Sequence, residues 1–318
     1  MTRQDRELRR ALKKLTRSMR EKGLLDVYAA LLAFIKELMS VRNNTVPDIP
    51  DIPLEDIDRG SKKRALLIGS NFPGTGDSEL KGCLNDLANM KVLLTRNGFS
   101  NIKIISDLSN MKPNRATIIK ELPKFLKSVK QNETLVIHFS GHGKQCRAFN
   151  KLEEKDAFDE CICTLETKGR ISIISDNELN TIVRNNLHKT STLYMITDCC
   201  HSGSICDLKY TYNPTTMKWD ESSEIKDAVN CGNVVLLSGC RDEETSADAQ
   251  FRIGGKLVNE GALTRALLEA LKKETELGKV YNEIHKFLKE FWFEQYPLLS
   301  TNNPKINLSS TFWSELGK

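Results

Sequence analysis

Short apolar runs rich in β-branched residues alternate with helical patterns along most of this 318-residue chain. Runs of this length bounded by turn residues predict buried strands, and apolar spacings of three and four predict helices. The predicted strands are 64–70, 102–107, 134–140, 192–199, 233–240 and 305–309, and the predicted helices are 83–96, 114–130 (interrupted at Pro123), 176–187, 261–273 and 280–292. Repeated strand–helix–strand order requires right-handed crossovers and a mostly parallel sheet covered on both faces. The sequence therefore predicts an α/β fold, with a small hairpin over 161–174 beside the sheet.

Two of the predicted strands end in polar residues and glycine. One is followed by His142 and Gly143, and the other by Cys200. In an open α/β sheet, ligands and reacting groups collect at the carboxyl ends of the strands. A histidine and a cysteine at two such ends provide the nucleophile and the proton-transfer partner that thiol catalysis needs. The alternative is that both are ordinary core residues, as most cysteines are.

Nine cysteines compete for the role of nucleophile, and their positions narrow the choice to Cys199 and Cys200. If the two-residue period of a strand persists to its end, Asp198 and Cys200 share one face while Cys199 lies on the other. The same alternation places Ser140 on one face with His142. Two strands would then each contribute a pair of polar side chains to one crevice.

Among the five histidines, His142 is the best candidate base because glycines flank it and leave its ring open to substrate. His138 lies inside a predicted strand, which favours a structural role. The backbone amides of Gly143 and Cys200 are the predicted oxyanion donors. A zinc site is a weaker alternative because adjacent cysteines point apart. Its ligands would be Cys199, Cys200, His201 and Cys206.

Residues 1–42 carry two apolar stripes at helical spacing and are predicted to form a basic helical prodomain. A linker rich in Pro and Asp follows over 43–60, and a catalytic domain is predicted over 61–318. The first 22 residues hold nine Lys or Arg and three Asp or Glu, so the rest of the chain sums to −1. A basic excess confined to the tail gives no indication of a nucleic-acid partner. The tail is expected to bind the catalytic domain or another protein.

The bulk composition also bears on the compartment. The cysteines lack the spacing of a disulfide scaffold and no secretory leader is recognisable, which predicts reduced thiols in the cytoplasm. A mitochondrial presequence is a less favoured alternative because acidic residues lie among the N-terminal arginines. No apolar run reaches the roughly 20 residues that span a bilayer. Neither a transmembrane segment nor an organic cofactor is expected.

The segments His-Phe-Ser-Gly-His-Gly (138–143) and Thr-Asp-Cys-Cys-His-Ser-Gly-Ser (197–204) closely resemble the catalytic signatures of metacaspases, which are caspase-like cysteine peptidases. The resemblance extends over roughly 61–315 and, without a long insertion, points to the type I-like group. It implies a caspase-like three-layer sandwich with a six-stranded, mainly parallel sheet. It also implies that Cys200 is the nucleophile and His142 its partner. The first 60 residues lack the Pro/Gln-rich, zinc-finger extension common in type I members, which leaves their role open.

The resemblance further implies cleavage after Arg or Lys in protein or peptide substrates. The pocket residues would be Asp86, Ser140 and Asp198. A guanidinium pairs with carboxylates through charge-assisted hydrogen bonds, which suits Arg best and Lys next. In the alternative interpretation, Asp86 only caps a helix and Asp198 only ties down a turn.

Calcium stimulation is a second implication of the resemblance. The ligands would be Asp159, Asp176, Asn177 and Asp207. Carboxylate and amide oxygens suit Ca²⁺, and the loss of a charge at Asn177, where a second Asp is usual, should weaken binding. A charged surface loop without an ion is the alternative.

Self-processing is expected at basic residues in segments predicted to be flexible, because exposed loops are what proteases cut. The candidates are Arg59, Lys62 and Lys63 in the linker and Lys209, Lys218 and Lys226 in the loop 209–230. The sequence thus predicts a calcium-stimulated, self-processing cysteine endopeptidase. Two alternatives are a catalytically silent scaffold whose N-terminal helices recruit partners and a hydrolase of other acyl or isopeptide bonds.

Overall fold

The computed structural model describes residues 62–128, 130–147, 158–200, 203, 205–223, 225, 229–240, 248–253 and 256–314. The predicted prodomain (1–42) and linker (43–60) lie outside these residues. All structural statements below concern the described part of the chain.

Thirteen strands and five α-helices make up the described part of the chain. The strands are β1 (Lys63–Gly69), β2 (Asn101–Ser106), β3 (Thr134–Ser140), β4 (Gly143–Arg147), β5 (Phe158–Leu165), β6 (Ile171–Ser175), β7 (Thr192–Asp198), β8 (Tyr210–Asn213), β9 (Lys218–Glu221), β10 (Asn233–Ser238), β11 (Asp248–Ile253), β12 (Lys256–Gly261) and β13 (Leu298–Thr301). The helices are α1 (Cys83–Arg96), α2 (Arg115–Lys127), α3 (Asp176–Asn186), α4 (Ala262–Lys273) and α5 (Leu277–Glu290). Within these residues, no helix combines the length and apolar character needed to cross a membrane.

Eight strands form one sheet in the order β2-β1-β3-β7-β10-β13-β8-β9. The strands from β2 to β10 pair in parallel, and β13, β8 and β9 join antiparallel. The predicted α/β fold with a mostly parallel sheet is confirmed. The described sheet has eight strands where six were expected, because the β8–β9 hairpin extends its edge.

Alternate residues of the central strands enter two hydrophobic clusters on opposite faces of this sheet. Ala65 and Leu67 of β1 pack with α1, α4 and α5, whereas Leu66 and Ile68 pack with α2 and α3. Burial on both faces explains why these strands have continuous apolar runs rather than alternating patterns. At roughly 25 cal/mol per Å² of buried apolar surface, each such leucine contributes about 2 kcal/mol. The result is the three-layer arrangement of helices, sheet and helices.

A second, three-stranded sheet has the order β4-β5-β6. The predicted hairpin over 161–174 corresponds to β5 and β6, with Lys168 and Gly169 at positive φ in the turn between them. The edge strand β4 was not predicted, and it runs antiparallel to β5.

Helix α3 begins with a capping box that fixes its first turn. The hydroxyl of Ser175 accepts a hydrogen bond from the backbone N–H of Glu178, and the carboxylate of Glu178 accepts one from the backbone N–H of Ser175, both at 3.3 Å. Reciprocal bonds of this kind satisfy two otherwise unpartnered donors at a helix start. They hold Asp176 and Asn177 at a defined position beside β5.

The predicted strand over 305–309 is wrong. The side chains of Asn303 and Asn307 accept hydrogen bonds from the backbone N–H groups of Lys305 and Ser309, each two residues on. Such local bonds favour turns over an extended ladder. The strand lies earlier, at β13, which pairs antiparallel with β10.

The predicted interruption at Pro123 is also wrong, because α2 continues through it. A proline inside a helix removes one hydrogen bond and crowds the preceding turn. Leu122, Phe125 and Leu126 surround it and are buried in the core. Their burial outweighs the local cost.

The segment 209–230, predicted as a flexible loop, contains the β8–β9 hairpin. Tyr212 is buried, and its ring centroid lies 5.4 Å from that of Tyr281 and 5.7 Å from that of Trp219. These aromatic contacts attach the hairpin to α5 and the main sheet.

Candidate active site

The carboxyl ends of β3 and β7 lie side by side in the main sheet. Ser140 is the register partner of Asp198, and the N–H of Gly141 donates to the carbonyl oxygen of Asp198 at 3.3 Å. The residues that follow each strand therefore leave the sheet at the same edge. This is the edge at which ligands collect in sheets of this kind.

Gly143 brings the backbone after His142 against the backbone of Cys200. A Cβ atom at position 143 would overlap the carbonyl oxygen of Cys200 and lie 3.1 Å from the Sγ of Cys199. Only glycine permits this approach, since it lacks the Cβ. The structure thus brings the two predicted catalytic segments into direct contact.

At the end of β7, Asp198 and Cys199 lie on opposite faces of the sheet, as strand alternation predicts. Cys199 is 1% exposed and belongs to the cluster that packs on α2 and α3. Asp198 contacts α4, on the opposite face. Cys200 is half-buried. Burial raises the pKa of the Cys199 thiol well above its usual value, which makes that thiol a poor nucleophile.

The imidazole of His142 is held by a backbone carbonyl. Its Nε2 lies 2.6 Å from the carbonyl oxygen of Ser78. A carbonyl oxygen only accepts hydrogen bonds, so Nε2 carries the proton when the ring is neutral. Nδ1 then has the free lone pair, and it is the nitrogen that can take a proton from a thiol.

Phe72 supports the other side of this ring. Its centroid lies 4.7 Å from that of His142 with the planes tilted by 56°, and the side chain is fully buried. The backbone of Phe72 has φ +53°, a conformation that costs about 1 kcal/mol for a residue with a Cβ. Ser70 and Asp107 hold the loop: the Ser70 hydroxyl donates to Asp107 and accepts from the N–H of Phe72. The strain is maintained by these contacts, next to a candidate catalytic group.

His138 is unlike His142 in every respect that matters for catalysis. It is fully buried, and its Nε2 lies 3.1 Å from the hydroxyl of Thr264. Burial lowers its pKa to about 3, so the ring is neutral. This environment agrees with the structural role expected from the sequence.

The predicted pocket residues Asp86, Ser140 and Asp198 are brought together at the start of α4. The hydroxyl of Ser140 donates to Asp86 at 2.7 Å, and the N–H of Gly261 donates to both oxygens of the same carboxylate at 2.9 and 3.1 Å. The N–H of Thr264 donates to Asp198 at 2.7 Å. Donors at a helix N-terminus favour negative charge, which explains how two carboxylates are held there.

These carboxylates repel each other in a buried site. Burial, and then the charge of Asp198, raises the pKa of Asp86 well above its ordinary value. Removal of charged groups from water is costly unless an opposite charge is supplied. A positive charge placed between them would relieve this repulsion. We call Asp86 and Asp198 the acidic pair.

The acidic pair is covered in this structure. Asp86 is 0% exposed and Asp198 5% exposed. A Cβ atom at Gly261 would overlap Asp198 and lie 2.8 Å from Asp86, so the end of β12 rests directly on both carboxylates. The β11–β12 hairpin is fixed there by Asp248, which accepts from the N–H of Lys81 at 2.6 Å. A long side chain could reach the acidic pair only after this segment moved.

The predicted calcium ligands lie in the neighbouring region around the start of α3. Asp176 is fully buried, and its carboxylate accepts from the backbone N–H groups of Glu160 and Asn177 at 2.9 and 2.6 Å. Burial, and then the charge of Asp207, raises its pKa to about 9. The amide of Asn177 lies 3.4 Å from Asp159.

The donor chemistry of these residues suits Ca²⁺, which prefers carboxylate and amide oxygens. Among the described residues, however, no three His, Cys, Asp or Glu side chains are arranged so that they could hold a metal ion. The four residues are thus close in the fold, but they do not form a preformed cage.

The predicted self-cleavage residues have different surroundings. Lys62 is exposed and precedes β1, whereas Lys63 is its first residue and donates to the carbonyl of Asn97 at 3.1 Å. Lys218 is the first residue of β9, and Lys209 pairs with Glu221 at 2.8 Å. Lys63 and Lys218 are therefore in strands rather than in flexible segments. Arg59 and Lys226 lie outside the described residues.

Sequence reasoning missed the groups that contact the site from distant parts of the chain. They are Phe72 and Ser78 at the imidazole, and Gly261 and Thr264 at the acidic pair. The run Glu-Gly-Ala-Leu-Thr at 260–264 carried a weak signal, since glycine before an apolar helical pattern indicates a helix start. Nothing in the sequence around Ser78 indicated that its carbonyl would bind a histidine.

Comparison with known proteins provides independent information on the family of this chain. Residues 63–209 match the family model described as the metacaspase, peptidase C14 domain. The chain is 32% identical over 276 residues to metacaspase-2 of Trypanosoma brucei brucei, covering 80% of this chain and 76% of that protein. It is 33% identical over 271 residues to metacaspase-3 of Trypanosoma cruzi, covering 78% and 73%.

Two further similarities support less, one because it covers only part of the relative and the other because the sequence identity is low. Metacaspase-1 of Plasmodium falciparum is 31% identical over 268 residues, which span 79% of this chain and 42% of that protein. The crystal structure of a Geobacter sulfurreducens protein superposes with a TM-score of 0.56 at 20% identity, covering 80% of this chain and 99% of that one. At this identity the second similarity supports the fold alone.

Proposed function

The chain belongs to the metacaspase family of cysteine peptidases, and we propose that it is an endopeptidase that cleaves protein substrates after Arg or Lys through Cys200 and His142. The observation that carries this proposal is the contact of Gly143 with the carbonyl of Cys200. It joins the segment after the imidazole to the segment of the half-buried thiol. This contact supports the assignment of two residues distant in sequence to one active site.

The orientation of the imidazole supports a specific division of roles. Because the Ser78 carbonyl engages Nε2, Nδ1 of His142 is the atom that accepts the thiol proton as the sulfur of Cys200 attacks the scissile carbonyl. The imidazolium then donates this proton to the leaving amine. Backbone amides of Gly143 and Cys200 would stabilise the oxyanion, and water would hydrolyse the acyl-enzyme.

The acidic pair supports the preference for a basic side chain. A guanidinium can donate to two carboxylates at once, and it would neutralise the mutual repulsion that raises the pKa of Asp86. An aspartate side chain would add a third negative charge to the same buried site. Preference for Arg, then Lys, follows, with the end of β12 displaced as the side chain enters.

Calcium is proposed as an activator rather than as a participant in the chemistry. Asp159, Asp176, Asn177 and Asp207 would hold it, and the ion would supply positive charge to carboxylates that now repel each other. Burial, and then the charge of Asp207, raises the pKa of Asp176, and a bound cation would favour its charged form.

A fluorogenic peptide assay on the full-length protein tests the proposed activity. We expect turnover of peptides ending in Arg, slower turnover with Lys and none with Asp. Cys200→Ala should abolish turnover, and His142→Ala should lower kcat at least about a hundredfold, the scale of general acid–base catalysis. Cys231→Ala is the matched control, since Cys231 is also half-buried but lies at the end of the sheet opposite to Cys200.

Two outcomes would contradict the proposal in different ways. Absence of turnover of any peptide, with intact folding and calcium present, would favour the silent scaffold. Turnover of small acyl or isopeptide substrates alone, still dependent on Cys200, would favour a hydrolase that does not cleave peptides. Unchanged turnover in Cys200→Ala would show that Cys200 is not the nucleophile.

A further inference from the structure

Cys146 and Cys161 form a close thiol pair outside the proposed catalytic site. They lie on the antiparallel strands β4 and β5, where Cys146 is the register partner of Asp159 and Lys144 that of Cys161. Residues two apart along a strand share a face, so the two thiols are diagonal neighbours on the same side of the sheet. The β4–β5 ladder therefore places the two thiols next to each other.

The two thiols differ in access to solvent. Cys146 is half-buried, whereas Cys161 is fully buried and donates to the carbonyl of Asp159 at 3.7 Å. Because Cys161 is fully buried, a dissolved reagent does not reach this thiol readily. A reagent would meet Cys146 first, and Cys161 is positioned to react second. Both cysteines are reduced in this structure.

The edge position of β4 leaves room for the small movement that a bond between them needs. Diagonal neighbours in a ladder have Cα atoms about 7–8 Å apart, slightly beyond the usual span of a disulfide. Within the described residues, β4 pairs only with β5. A strand held by one ladder can shift toward its partner more easily than a central strand can. A bond closed in this way stores strain and is easily reduced.

We propose that Cys146 and Cys161 form a reversible disulfide by exchange with a low-molecular-weight disulfide. The Cys146 thiolate attacks the reagent, forming a mixed disulfide and releasing one thiol. Cys161 then attacks the Cys146 sulfur, closing the internal bond and releasing the second thiol. The protein pair loses two hydrogens, and the reagent is reduced to two thiols. Formation of this bond does not require the proposed peptidase activity.

The bond would connect the catalytic crevice to the redox state of the surroundings. β4 begins at Gly143, whose backbone rests on the carbonyl of Cys200. Asp159, a candidate calcium ligand, is the register partner of Cys146. The disulfide would therefore join the strand that follows His142 to the strand that carries Asp159.

The test uses the full-length Cys200→Ala protein, so that the proposed nucleophile does not react. The protein is equilibrated with oxidised glutathione, its remaining thiols are alkylated, and its peptides are analysed by mass spectrometry. We expect a peptide pair joined through positions 146 and 161, lighter by two hydrogens than the two separate peptides. Treatment with reduced glutathione should return both cysteines to free thiols. Cys161→Ala should instead accumulate glutathione on Cys146, and Cys146→Ser should show neither product.

Cys231→Ser provides the matched control, since Cys231 is half-buried and its thiol donates to the carbonyl of Val183 instead. This variant should form the same 146–161 bond as its parent. Three results would overturn the proposal: no oxidation at either position, a stable mixed disulfide on Cys146 while Cys161 is intact, or a bond from Cys146 to Cys163. The last is the relevant rival, because Cys163 also lies within electrostatic range of Cys146.

Discussion

The candidate base depends on two residues that have no reactive group of their own. The carbonyl of Ser78 fixes the tautomer of His142, and the ring of Phe72 fixes its tilt. Neither contact depends on which residues flank Ser78 or Phe72 in the sequence. A catalytic imidazole must be held to within a fraction of an ångström, so these contacts matter as much as the proton-accepting nitrogen.

Phe72→Leu should therefore reduce kcat by about tenfold while KM stays within about twofold, because a misplaced base slows proton transfer without changing substrate binding. Phe125→Leu, at a buried phenylalanine of α2, is the control for a general loss of packing. If both variants lose kcat in proportion to their stability, Phe72 has no positioning role.

The acidic pair makes a separate prediction, about stability. In the folded protein the pKa of Asp86 is raised, so between its unfolded value near 3.9 and the raised value the folded state binds more protons. Its contribution to stability therefore falls as the pH rises through this window. Asp86→Asn removes the charge and keeps an oxygen that can accept from the N–H of Gly261.

We expect Asp86→Asn to unfold at a higher temperature than the parent at pH 7, with a difference that shrinks toward pH 4. The same change should lower kcat/KM for Arg peptides by about a hundredfold, since a charge-assisted bond is lost in a buried site. Asp77→Asn, at an exposed carboxylate in the loop before α1, should change neither quantity. Thermal unfolding across this pH range, with the peptide assay, provides the measurement. A lower unfolding temperature at pH 7 would mean that the pair is compensated in some other way.

At the scale of elements, the central strands of the fold were predictable from the sequence, and the short strands at the sheet edges were not. The strands β1, β3, β7 and β10 are buried on both faces, so their apolar runs stand out in the sequence. β4, β8 and β9 are short, and their stability comes from contacts with distant segments. Tyr212, for example, packs on Tyr281 far along the chain.

The same reasoning explains what was predictable in the site. Strand alternation placed Asp198 and Cys199 on opposite faces, because this period is a local property of the backbone. Ser78 and Gly261 reach the site through contacts across 64 and 175 positions of the sequence. No local pattern encodes such a contact.

The proposed calcium ligands lie around the start of α3 and the adjoining part of β5, and substitutions there test calcium binding. Asn177→Asp adds a carboxylate beside Asp159 and should lower the calcium concentration for half-maximal activity by about tenfold, because ligand charge sets affinity in such sites. Asp207→Asn should raise that concentration. Isothermal titration calorimetry measures calcium binding directly, apart from activity.

Glu294→Gln, at an exposed carboxylate, is the control for the calcium-site variants. Equal turnover in calcium and in a chelator would contradict the proposed activation.

At the scale of the whole molecule, the distribution of basic residues separates the N-terminal segment from the body. Residues 1–22 hold the positive excess of the chain, and the remainder is close to neutral. The proposed specificity for Arg and Lys would make this segment and the following linker a substrate of the same protein. Lys62 precedes β1, but its carbonyl oxygen already accepts a hydrogen bond from the N–H of Thr134 at 2.8 Å, and from Lys63 onward the backbone is paired with β3.

A protease binds its substrate as an extended, accessible chain, so paired strands are poor cleavage sites. We therefore expect self-cleavage after Arg59 and none after Lys62, Lys63 or Lys218, although all four are basic. Intact-mass analysis of full-length protein incubated with calcium would locate the cuts, and cleavage in cis would keep the same rate on dilution. Cys200→Ala should remain intact, and Arg59→Gln should slow the loss of the N-terminal segment. Identical fragments from Cys200→Ala, purified away from host proteases, would mean that another enzyme makes the cuts.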